Sequence, residues 1–107
     1  MPDWGSLEWL ASRQIGNAEN LTLGRVVIKP GKANPHHGHR NCQELLYLLR
    51  GRLEHTIGDR TVVQAAGETV AIPAGVFHHA LNIGEEDADM IVAYDAGERD
   101  FVREDQG

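Results

Sequence analysis

Gly31–Gly51 reads GKANPHHGHRNCQELLYLLRG, and its chemistry decides what kind of fold the chain can adopt. His36, His37 and His39 stand close together, and Glu44 follows five residues after the last of them. On an extended strand, residues two apart share a face, so His37 and His39 can reach one point while His36 faces away. Glu44 has the wrong parity for that face on an unbroken strand. The chain must therefore bend or bulge between Arg40 and Gln43, and Asn41 is suited to such a place. Glu44 also heads the apolar run ELLYLL, residues 44–49. A carboxylate buried there without a partner is costly, and a cation removes the cost. The run suits a strand covered on both faces, although periodicity alone leaves a short helix open.

Outward from this stretch, the chain is a series of short strands and turns. Leu21–Lys29 is β-branched and apolar and stops at Pro30-Gly31. Arg52–Ile57 alternates, with Leu53, His55 and Ile57 on one face. Gly58-Asp59 turns it into Arg60–Gln64, the second arm of a hairpin. Thr69–Ile72, Val76–Ile83 and Met90–Tyr94 are further strands, punctuated by Gly67, Pro73-Ala74-Gly75 and the acidic loop 84–89. No helical stripe of ten or more residues is present. Turn signals about every ten residues indicate an all-β sandwich or barrel. The expected organisation is an N-terminal segment, 1–20, packing on the barrel or on a dimer partner through Trp4 and Trp9. A barrel domain, 21–94, follows, and then a charged C-terminal tail, 95–107, in which Asp95 and Arg99 read as solvated.

A second stretch, Gly67–Asn82 (GETVAIPAGVFHHALN), places His78 just after the Pro73-Ala74-Gly75 turn, from which it can join His37 and His39. Spacing alone does not separate a metal site from ordinary histidines. The residues do, however, resemble the two signature motifs of the cupin superfamily. Gly31, His37, His39, Glu44 and Gly51 fill the first, and Gly67, Pro73, Gly75, His78 and Asn82 fill the second. The fifteen residues between them, 52–66, are a short spacer typical of microbial members. The resemblance implies an antiparallel jelly-roll barrel of six to eight strands. It also implies one divalent transition metal held by His37, His39, Glu44 and His78. A nitrogen–oxygen set without thiolate suits Mn, Fe, Co, Ni, Cu or Zn, with up to two positions open for a substrate or O₂. Cys42 falls between the ligands and reads as a small packing residue.

Around this centre, Gln64, Asn82, His55 and Tyr47 are the polar residues able to stand near the ion, with Tyr47 facing outward on parity. His55 is the weak candidate for a general base, and His36 and His79 flank ligands at the wrong parity. The end of the chain, MIVAYDAGERDF, is loosely similar to the ends of small cupins that act on unsaturated uronates. Tyr94 and Arg99 correspond to an aromatic residue and an arginine of those cupins, but Val92 stands where they carry an aspartate, and Glu44 where they carry a metal-site glutamine.

The intact ligand set implies an enzyme acting on a small polar metabolite, by dioxygenase-like or Lewis-acid isomerase or lyase chemistry. The alternative is a non-catalytic small-molecule or carbohydrate-binding sensor. The resemblance also implies a homodimer. A formal charge of −6 gives no basic surface for nucleic acid. No apolar stretch is long enough to suggest a membrane span, and MPDWGSLEWL lacks the marks of a secretion signal. The single cysteine allows no intrachain disulfide, so a cytoplasmic protein is expected.

Overall fold

The computed structural model describes residues 2–99 and 101–103, the side chain of Arg103 excepted. Ten strands are described: β1 (Gly5–Ala11), β2 (Thr22–Ile28), β3 (His37–Gly38), β4 (Glu44–Arg50), β5 (Arg52–Ile57), β6 (Arg60–Ala65), β7 (Thr69–Ile72), β8 (His78–Asn82), β9 (Ala88–Tyr94) and β10 (Val102–Arg103). They form two five-stranded sheets, ordered β1-β2-β9-β4-β7 and β10-β3-β8-β5-β6, with every pairing antiparallel. This is the all-β jelly-roll architecture expected from the short alternating strands. The count exceeds eight because β3 and β10 are two-residue pairings too short to leave a periodic signal, and because β1 extends the first sheet.

The core lies between the sheets and follows strand parity. Val26 and Ile28 of β2, Leu46 and Leu48 of β4, Leu53 of β5, and Met90 and Val92 of β9 are all buried. The run 44–49 forms a strand, but it is not covered on both faces. Leu45, Tyr47 and Leu49 are 48%, 42% and 43% exposed, so the strand is half-buried and its even parity alone enters the core. Its outer residues are apolar without being covered within this chain.

At the N-terminal side, β1 lies along β2, and Trp4 and Trp9 pack against the core. Gly24 of β2 makes room for this, since a Cβ there would lie 2.9 Å from the Trp9 ring. Of the tail, residues 100 and 104–107 lie outside the described residues. The described part folds back, with Val102 paired to Gly38.

Gly51 joins β4 to β5 at φ +96°, and a Cβ there would lie 2.9 Å from the Ala88 Cα. Both the backbone conformation and the close approach exclude a side chain. Gly51→Ala is therefore expected to cost about 1–3 kcal/mol, read as a lower urea midpoint at unchanged slope.

Candidate metal centre

His37 on β3 and His78 on β8 are register partners, so their side chains emerge side by side from the second sheet. His39 follows two residues after His37 and faces the same way, as the extended spacing requires. The chain then bends at Arg40 and Asn41, where the Asn41 amide donates to the Glu98 carbonyl at 2.8 Å. Beyond the bend it enters the other sheet at Glu44, the first residue of β4. This crossing resolves the parity mismatch. Glu44 approaches from the first sheet and the three histidines from the second sheet and the loop beside it.

The four side chains are buried, with exposures between 2% and 6%. One ligand atom from each can be chosen so that all lie within 4.8 Å of one another. Glu44 Oε1 is 3.1 Å from His78 Nε2 and 3.2 Å from His39 Nε2. The ring pairs His37–His39 and His37–His78 have centroids 4.9 and 4.3 Å apart. His37 Nδ1 faces the Pro35 carbonyl, and His78 Nδ1 faces the Val76 carbonyl at 3.2 Å. With Nδ1–H donating to the backbone, Nε2 would offer its lone pair to an ion in place of its contact with Glu44, the arrangement a metal ligand needs.

The electrostatics favour a cation. Burial, and then the charge of His78, push His37 down to about 3, so this imidazole is neutral. Burial alone would raise Glu44, but hydrogen bonds from His39 and His78 outweigh it and hold the carboxyl at about 2. An ionised carboxylate beside neutral imidazole is a buried anion whose charge a divalent ion would balance. The donor set, three nitrogens and one oxygen, fits such an ion.

Residues 24–94 match the family described as Cupin domain. The chain belongs to the cupin family. It is 34% identical over 97 residues to Germin-like protein 3-5 of Oryza sativa subsp. japonica, a match covering 83% of this chain and 41% of that protein. It is 31% identical over 97 residues to Oxalate oxidase 2 of Hordeum vulgare, covering 83% of this chain and 42% of that one. A solved oxalate oxidase in complex with the substrate analogue glycolate superposes with a TM-score of 0.89 at 25% identity, covering 97% of this cupin and 57% of that chain. This cupin thus spans about two-fifths of the length of the curated relatives it matches. Those relatives are plant proteins, so they give no support to the microbial assignment drawn from the spacer.

The other singled-out residues fall in distinct places. His36 and His79 meet edge-on, with ring centroids 4.8 Å apart, on the opposite face of the sheet from His37 and His78. Tyr47 faces outward, and Cys42 is buried in the core. Asn82 turns away from the metal centre. Its amide donates to the Ile28 and Glu86 carbonyls at 2.8 Å each, and its oxygen accepts from the Gly84 N–H, so it holds the β8–β9 connection. Gln64 donates to the Leu46 and Glu68 carbonyls at 3.0 and 2.9 Å. His55 sits behind His78, with ring centroids 5.8 Å apart, and burial lowers it to about 4.

Of the two tail charges expected in solvent, Asp95 is exposed, its carboxylate accepting from the backbone and side-chain nitrogens of Gln43. Arg99 is half-buried instead and packs over the rings of Trp9, Tyr94 and Phe101. Charge in the sequence suggested solvation. For Arg99 the returning β10 pairing, invisible in a two-residue strand, brings the side chain inward instead. Tyr94 was also underrated. It is the register partner of Glu44, stands 5.0 Å from the His39 ring, and burial, with Glu44 next in effect, holds its phenol well above the usual range. The alternation of β9, which sends Met90 and Val92 inward, was the signal available for it.

Proposed function

We propose that this cupin is a mononuclear metal enzyme whose ion is held by His37, His39, Glu44 and His78 and which turns over a small polar metabolite. The observation that supports this most is the buried, ionised Glu44 inside a ring of three histidines at the wall of a cavity of about 250 Å³. That cavity is bordered by His37, Glu44 and Tyr94, with Val26, Leu46 and Met90 as its apolar wall. A divalent ion bound here would act as a Lewis acid and template, or as the site of O₂ chemistry when redox-active. The protein's part is to keep the His37 imidazole neutral, to orient His37 and His78 through backbone carbonyls, and to exclude water with the apolar wall. His55 packs behind His78, so any part it plays runs through that ring.

The similarity to oxalate oxidase favours oxidase or dioxygenase-like chemistry over isomerase or lyase chemistry. The experiment is to identify the bound metal, and then to measure O₂ uptake and product formation with oxalate, glycolate, diketones, catechols and unsaturated uronates. Turnover by the metal-loaded protein supports the enzyme reading. Binding without turnover across the panel would replace it with the sensor reading.

A homodimer is part of the same proposal. Leu23, Ala93 and Leu45 are neighbours in register across the outer face of the first sheet, and Ile91 and Tyr47 form the next row. An apolar patch of this kind, bounded on the β2 side by Arg25, is a suitable interface. Light scattering after size exclusion is expected to give twice the chain mass at micromolar concentration, and a monomer would contradict it. The buried free thiol of Cys42 supports a cytoplasmic setting, since the fold calls for no oxidising compartment. No helix among the described residues is long and apolar enough to cross a membrane.

A further inference from the structure

The C-terminal segment comes back over the metal centre and brings a cation with it. Pairing of Val102 with Gly38 seats Phe101 nearly flat on His37, with ring centroids 4.7 Å apart and planes at 19°. Two residues earlier, the Arg99 guanidinium lies between three aromatic faces, 4.6 Å from the Trp9 ring, 5.0 Å from Phe101 and 5.7 Å from Tyr94. Arg99 lines the same cavity as His37 and Glu44, so the cation and the four-residue group share one space.

What sets Arg99 apart is what it lacks. Its Nε and Nη1 atoms are shielded from solvent and hydrogen-bond to no described group. Among the described residues, Asp95 is engaged by Gln43 and Glu44 by His39 and His78. Aromatic faces stabilise a guanidinium but accept no directed N–H bond from its edge as a carboxylate does. Buried donors without acceptors are uncommon in folded proteins, and an arginine cannot shed its charge to relieve them. The aromatic stack fixes the plane of the group and leaves its polar edge without an acceptor among the described residues. Such an edge matches a carboxylate in two parallel hydrogen bonds.

We infer that Arg99 is the carboxylate anchor of this cupin, holding the acid group of a small carboxylate substrate through its guanidinium. Another oxygen of the same molecule then reaches the His37–His39–Glu44–His78 group, so the inference rests on the reading of that group as a metal centre. Val26, Leu46 and Met90 wall the space between the two ends, so the part of the substrate between them is apolar or very short. Specificity follows from the unmet donors. An amide of the same shape offers the guanidinium one acceptor oxygen where a carboxylate offers two, and no charge to meet its own. Arg99 thereby selects the substrate class while the metal centre performs the chemistry. Because Arg99 and Phe101 arrive on the returning C-terminal segment, acid recognition depends on the β10–β3 pairing.

The test is calorimetric titration of metal-loaded protein with two acids and their amides, glycolate against glycolamide and benzoate against benzamide. The wild-type protein is expected to favour at least one acid over its amide. Arg99→Gln is expected to weaken that acid about 30- to 100-fold, with amide binding and metal content unchanged, so that the acid-to-amide ratio collapses. Arg99→Lys, which keeps the charge but loses the fork, is expected to fall between. A purely structural role for Arg99 would weaken acid and amide together and leave the ratio intact. That result would overturn the anchor, as would a wild-type protein binding neither acid. Should Arg99→Gln not fold, the ratio in Arg99→Lys decides. If the wild-type protein takes up no divalent metal, the metal reading fails on its own. The same titrations of the metal-free protein then decide the anchor, because the ratio is read within one protein form.

Discussion

Replacing His78 or His39 by alanine is expected to reduce bound metal from about one ion per chain to a small fraction of that, and to abolish the thermal stabilisation that metal gives. Each variant removes one of four converging donors and opens a cavity beside a buried carboxylate. Loss even of an outer-shell partner typically costs 10–100-fold in metal affinity, so loss of a ligand should cost about 100-fold or more. The stability effect follows by linkage. An ion at 100 times its dissociation constant stabilises the folded state by about 2.7 kcal/mol, or roughly 10–20 °C in Tm for a domain of this size. Glu44→Gln tests the charge, since it keeps the volume and removes the anion. His36→Ala is the control. His36 neighbours His37 in sequence but meets His79 edge-on, with ring centroids 4.8 Å apart, so its removal should leave metal content near wild type. Metal analysis and thermal melts with and without added ion check all four variants. Unchanged metal content in both His39→Ala and His78→Ala would show that the ligands are misassigned.

The contrast between His36 and His37 shows how much of the site was legible in the sequence. Side-chain alternation along extended chain is a local rule, and it sorted the histidines correctly between the two faces. The same rule demanded a bend before Glu44, and the chain supplies it by crossing from one sheet to the other. Strands β2 and β4 through β9 were legible because each is a run of four or more strand-forming residues between turn residues. Strands β3 and β10 were not, since a two-residue pairing has no period and exists only through its partner. That is why Arg99 read as a solvated charge. Its position depends on a contact between residues 38 and 102 that no local pattern encodes. The exposed parity of β4 was misread for a related reason. Leu45, Tyr47 and Leu49 are apolar, and composition alone cannot distinguish a face covered by this chain from one left for another.

Acidification is expected to destabilise the metal-free protein steeply between pH 6.5 and pH 4. His55 is lowered to about 4 by burial first and by the charge of His78 second. Unfolded, it would titrate near 6.5. Between these values the unfolded chain binds the proton and the folded chain does not, so stability rises with pH. The contribution is complete above about 6.5 and is lost as pH falls towards 4. A gap of about 2.5 units corresponds to about 3 kcal/mol. His37, lowered to about 3 by burial and then His78, acts in the same direction over a window reaching further down. Glu44, held at about 2, adds its loss only below about pH 4.5, where its unfolded form begins to take up the proton. Two histidines titrating together give a slope of about 2.7 kcal/mol per pH unit, set against a total stability of 5–15 kcal/mol for typical domains. Metal-free protein is thus expected to lose most of its stability by about pH 4.5. His55→Gln should roughly halve the slope between pH 6.5 and 4.5, because it removes one of the two protons without touching a proposed ligand. Urea unfolding of chelator-treated protein at pH 7, 6 and 5 measures this directly, and an unchanged midpoint would contradict it. Bound metal adds to the same balance, because the ion requires neutral imidazoles and an ionised carboxylate, so protons and metal compete for His37, His39, His78 and Glu44. The loaded protein should therefore hold its stability to lower pH than the metal-free form and then lose ion and fold together.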